Sequence, residues 1–256
     1  MKLAIALATF CCSWAVCAAA ERLAVGPADL VSVLPSGTAA ASVHVDRFYM
    51  DRRPVTNAEF LAFVNAQPRW RRDRVPGLLA DGDYLSQWAQ ADRLGVSIQP
   101  DQPVTRVSWF AARSYCEAAG ARLPDWYEWE LASAADERQA DARSNAQWRA
   151  RILDWYAQPA THPLARVGSG LPNYYGIQDL HGLVWEWVDD FSALMVSGDS
   201  RDQGDPDKLK FCGAGALSLK DRENYAVLMR VAFLSSLEAR STAHSLGFRC
   251  VSRVPG

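Results

Sequence analysis

Glycine and proline recur along the whole length of this chain, sixteen and thirteen of them in 256 residues. Proline lacks a backbone N–H and glycine has unusual backbone freedom, so both interrupt regular structure. Their spread predicts a loop-rich fold and not a helical bundle. With 49% hydrophobic and 22% charged residues, the composition is that of a globular protein and not of a disordered one. Ten tryptophans stand out within it. The 27 basic and 29 acidic residues nearly cancel. Phosphate backbones are held by a basic surplus, so nucleic-acid binding is not the leading function class.

Residues 1–20 are read as a secretory signal. Lys2 supplies a short positive end, Leu3 to Ala19 is almost wholly apolar, and Ala18, Ala19 and Ala20 offer small residues for cleavage before Glu21. No later stretch is apolar for long enough to span a bilayer. The expected location is periplasmic or secreted, with no membrane association after cleavage. Cleavage removes Cys11, Cys12 and Cys17 and leaves Cys116, Cys212 and Cys250. In an oxidising compartment this odd count allows one disulfide and one unpaired thiol.

The mature chain divides into an N-terminal segment, 21–42, and one domain over 43–254. Glu21 to Ala41 predicts one or two short strands, and the alternation over Val43–Met50 predicts another. Thr56 and Glu59 have the spacing of a capping box, with Phe60, Phe63 and Val64 following at helical intervals and Pro68 closing the helix. Ser108 caps a second helix with Ala111, Ala112, Tyr115, Cys116 and Ala119 on one face, stopped by Gly120. Asp125 and Glu128 repeat the capping-box spacing ahead of Trp126 and Trp129. Residues 136–158 read as a surface helix or an irregular excursion, and Gly247 to Val251 as a buried terminal strand. Arg69–Arg74 carries four arginines, either a contact for an anionic partner or a solvated loop paired with acids. Trp70 and Trp88 either line a rim there or pack on the core.

Five blocks, in order, carry a resemblance to a known family. They are Phe48-Tyr49-Met50-Asp51 with Pro54 to Phe60; Pro103-Val104-Thr105-Arg106-Val107-Ser108-Trp109; Ala111 to Ala134, with Arg122-Leu123-Pro124 and Glu128-Trp129-Glu130; Asn173 to Gly182 running into Val184-Trp185-Glu186-Trp187; and Arg230 to Phe233 followed by Leu246-Gly247-Phe248-Arg249-Cys250. Together they resemble the sulfatase-modifying-factor, or formylglycine-generating-enzyme, superfamily over residues 43–252. The resemblance implies an α+β fold, C-type-lectin-like, loop-rich and with little regular secondary structure. It leaves the activity open, because one fold serves many functions.

Formylglycine-generating members hold copper(I) with a pair of cysteines, soft ligands suited to that ion. Here the matching segment is Cys212 to Ala216, Leu217 to Leu219 stand where the first ligand is expected, and no cysteine lies between Gly213 and Arg249. Formylglycine generation by that route is therefore not expected. The resemblance implies a disulfide between Cys116 and Cys250, leaving Cys212 as the candidate catalytic or metal-binding thiol, for copper or another transition metal, or as a small buried apolar residue. His181 and His244 are candidate neighbours for it. The resemblance also implies structural calcium, held by the Glu186 side chain and by the backbone of His181, Gly182 and Val184. The expected function is that of an accessory or maturation factor for an exported redox protein, a copper-containing one being among the candidates, with another exported protein as partner. The alternatives are an oxidoreductase using Cys212 and a bound metal, and carbohydrate binding by analogy of fold.

Overall fold

A computed structural model describes residues 21–33, 42–158, 163–193 and 225–255, and the side chains of all of these except 193 and 225–228. The signal segment 1–20, Cys212 and the stretch 213–219 lie outside the described residues.

Local chemistry sets the first three helices. In α1 (Asn57–Ala66) the Thr56 side chain accepts the Glu59 N–H and the Glu59 carboxylate accepts the Thr56 N–H, a complete capping box. Ser108 accepts the Ala111 N–H to open α2 (Trp109–Ala118), and Gly120 follows its end with φ +65°. Asp125 and Glu128 cap α3 (Trp126–Ser133) reciprocally. The charged excursion resolves into α4 (Ala146–Ala157), which begins where Asn145 accepts the Gln147 and Trp148 N–H groups. Trp148 and Ile152 are its buried face. The fifth helix, α5, spans Tyr225–Ser235.

The strands are short. β1 (Arg22–Val25), β4 (Phe48–Asp51) and β7 (Val251–Ser252) form an antiparallel sheet in the order β1-β4-β7, and β2 (Ala28–Leu30) pairs with β3 (Val43–Val45). The single strand expected over Val43–Met50 is thus two. Gly26 takes φ +72° and Pro27 has no N–H to donate, so the ladder breaks there, opposite Asp46 and Arg47. Val25 and Leu30 are buried in the main core and β1 is an integral strand, so residues 21–33 belong to the folded body.

The terminal strand is likewise two pieces. β6 (Leu246–Gly247) runs parallel to β5 (Trp185–Glu186), and β7 pairs with β4. Between them Phe248, Arg249 and Cys250 are completely buried, with Phe248 O accepting from Val55 N and Cys250 O from Asp51 N. Gly247 has no room for a side chain, since a Cβ there would sit 2.6 Å from Val104 O. The core above these strands is aromatic. Phe60 on α1, Tyr115 on α2 and Phe248 meet with ring centroids 5.3–6.0 Å apart. Cys116 and Cys250 are joined by a disulfide, which ties α2 to the terminal segment. Trp70 and Trp88 are buried, packed on this core. Among the described residues no helix is long and apolar enough to cross a membrane.

Candidate functional site

Pairing of β5 with β6 sets Glu186 opposite Gly247 and brings Arg249 to the Glu186 carboxylate. Arg249 Nη2 donates to Glu186 Oε1 at 2.8 Å, and Nε lies 3.0 Å from both carboxylate oxygens. Trp129 Nε1, from α3, donates to Oε2 at 2.9 Å. The remaining guanidinium donors reach Asp51 O and Gln178 O. Asp51 in turn accepts from Arg22 Nε and the Cys250 N–H, while burial pushes its carboxyl up. One arginine therefore binds together β4, β5, the terminal segment and the 173–182 loop.

A second buried arginine lies beside it. Arg230 on α5 places its guanidinium 3.6 Å from the centroid of the Trp129 ring and donates through Nη2 to the Glu186 carbonyl. Burial pushes it down to about 10. Trp185, alternating with Glu186, stacks on Phe233 at 4.9 Å and also meets Tyr156 at 5.0 Å.

His181 sits at the head of this segment. Its ring is held edge-on between Trp129 and Trp148, at 5.7 Å from each. Nε2 lies 2.9 Å from Ser133 O. A carbonyl only accepts, so Nε2 carries the proton and Nδ1 is a bare lone pair. Nδ1 is buried and has no partner. Desolvation, with the nearby arginine charges, pushes His181 down to about 4, so the ring is neutral at physiological pH. It faces a cavity of about 290 Å³ between α4 and the 170–182 loop, walled by Trp148, Ile152 and Trp155, with Asp136 and Asp179 at its polar end. Asp179, at φ 61°, spends its carboxylate on the Gly168 and Gly170 N–H groups.

Residues 19–254 match the Sulfatase-modifying factor enzyme 1-like domain. The chain belongs to this family. The formylglycine-generating enzyme of Streptomyces coelicolor is 30% identical over 260 residues, covering 84% of this chain and 81% of that one. The hercynine oxygenase of Mycolicibacterium thermoresistibile is 32% identical over 189 residues, covering 65% of this chain and 41% of that protein, so this chain aligns with less than half of it. The crystal structure of CarF is similar in fold, with a TM-score of 0.51 at 18% identity, covering 91% of this chain and 98% of that one.

The sulfatase-modifying-factor architecture here is α+β and loop-rich, as expected. The calcium implied for Glu186 does not fit the described residues. Each carboxylate oxygen already takes two donors, and a cation there would stand beside the Arg249 guanidinium. The charge that the sequence left uncompensated is met by an arginine and an indole. Among the described residues no group of three His, Cys, Asp or Glu could hold a metal ion. Cys116 and Cys250 are bonded to each other, and Cys212 lies outside the described residues. His44 pairs with Asp29, away from this region. The two buried arginines were missed in the sequence. Their one signal was a lone charge inside each of two otherwise apolar stretches, around Arg230 and Arg249.

Proposed function

We propose that this protein is a non-formylglycine-generating member of the sulfatase-modifying-factor family, acting as an accessory or maturation factor for an exported redox protein. The observation that carries this reading is the state of its cysteines. No cysteine lies between Gly213 and Arg249, and Cys250, the next one, is held by Cys116. The soft ligand pair that would hold copper(I) has no residues to form it. Meanwhile the Glu186 carboxylate is taken by Arg249, and the pair braces the scaffold. The apolar N-terminal run and the disulfide support an exported, oxidising location.

The second reading is an oxidoreductase that uses Cys212. It is favoured by the fact that Cys212 is the single cysteine after residue 20 outside the disulfide. Purified mature protein, loaded with copper and given a cysteine-containing sulfatase peptide, is expected to leave the peptide mass unchanged. Conversion of the peptide overturns the first reading. Metal that copurifies with the wild type and is lost in Cys212→Ser shifts the assignment to the second.

A further inference from the structure

The arginine-rich stretch that the fold does not explain borders a second cavity. It has a volume of about 500 Å³, within the range of small-molecule pockets, and lies between α2 and the 69–79 loop. Trp109, Phe110 and Leu79 form its apolar side. Arg69, Arg74 and Arg113 also line it, against one acid, Glu117. Glu117 is spent on Arg113 at 2.9 Å, four residues earlier on the helix. Arg69 lies 5.6 Å from the Trp70 ring centroid and its Nη2 is 3.5 Å from the neutral Gln67 Oε1, and no acid among the described residues pairs with Arg69 or Arg74. The neighbouring arginines of the same stretch are accounted for. Arg71 pairs with Asp92, and Arg72 donates to the carbonyls of Leu85, Trp88 and Ala89.

Trp70, part of the same wall, supplies an independent observation. It is 5% exposed, and its indole Nε1–H is buried without an acceptor. A buried donor left unpaired is costly, and native structures seldom keep one without use.

We propose that this cavity binds a small organic acid: a carboxylate or phosphate carried on an aromatic or aliphatic body. The anionic end takes Arg69, Arg74 and the Trp70 N–H, and the body lies against Trp109, Phe110 and Leu79. Arginine suits either anion, because its planar fork matches both. A bare ion leaves the apolar side unused, so the body contributes to affinity.

The test is a titration of protein carrying nitrogen-15 in its tryptophan indoles, with Trp70→Phe used to assign the Trp70 signal. The probes are phenylacetate, phenyl phosphate, inorganic phosphate and benzyl alcohol. At least one of the two aromatic anions is expected to shift the Trp70 and Trp109 signals saturably below about 10 mM, and which one does so separates carboxylate from phosphate recognition. Inorganic phosphate and benzyl alcohol are expected to bind at least roughly tenfold more weakly. The double variant Arg69→Ala/Arg74→Ala, at two exposed positions, is expected to weaken the aromatic anion by roughly tenfold or more while leaving the other indole signals in place. No saturable shift by about 10 mM, equal binding of inorganic phosphate, or undiminished binding by the double variant overturns the proposal.

Discussion

Glu186 and Arg249, 63 residues apart in sequence, form an ion pair whose side chains have no exposure to solvent. Burying two charges is costly, and the pair offsets that cost only because both ends are saturated with hydrogen bonds. Trp129 completes the carboxylate, and the Asp51 and Gln178 carbonyls complete the guanidinium. The relationship accounts for how β5 and the terminal segment stay in register although each strand is two residues long.

Removing one partner leaves the other charged, buried and unpaired. Glu186→Gln and Arg249→Met are each expected to lower the unfolding free energy by about 3–5 kcal/mol. The double variant is expected to lose clearly less than the sum, because neither orphan charge remains. Urea unfolding of the four proteins gives the coupling. The wild type is also expected to melt at the same temperature in chelator and in millimolar calcium. A ligand that binds only the folded state must raise that temperature, so a calcium-dependent rise that Glu186→Gln abolishes contradicts the saturation of Glu186.

The Cys116–Cys250 disulfide closes a sequence separation of 134 residues. By the chain-entropy model such a loop contributes about 5 kcal/mol through the unfolded state. Cys116→Ala/Cys250→Ala is expected to unfold at markedly lower temperature than the wild type. Adding a reductant is expected to lower the wild-type transition towards that of the variant and leave the variant unmoved. Calorimetry with and without reductant checks both.

His181 makes a directional pH prediction. Its folded value is about 4, while the unfolded chain has the ordinary histidine value near 6.5. As pH falls below 6.5 the unfolded state takes up the proton first, so this group destabilises the fold progressively down to about pH 4. The full effect is on the order of 3 kcal/mol. Asp125 works the other way, because burial and Glu128 raise it to about 6 and the folded state protonates first. Comparison with His181→Gln, which retains a donor for Ser133 and does not titrate, removes that background. The stability of the wild type relative to this variant is expected to fall between pH 6.5 and 4 and to be flat above pH 7. Denaturant unfolding across that range measures it; a flat difference throughout shows that Nδ1 has a proton source or partner in solution.

What was legible in the sequence was what chemistry settles within three or four residues. Thr56, Ser108 and Asp125 each satisfy an N–H of their own helix, so those three starts could be read directly. The family blocks likewise announced a loop-rich α+β fold. Tertiary structure alone decided the rest. Strands of two to four residues carry too little alternation to be placed, and β1, β4 and β7 acquire their identity from pairing across most of the chain. The partner of Glu186 was not readable, because a lone carboxylate in an apolar segment calls for compensation without saying whether a cation, a backbone or an arginine supplies it. Parallel pairing of β5 with β6 made that choice by delivering Arg249 to it. For the arginines at 69–74, sequence showed the charge. Only packing showed which were spent within the fold and which were left facing a cavity, because that depends on acids and carbonyls brought together from elsewhere in the chain.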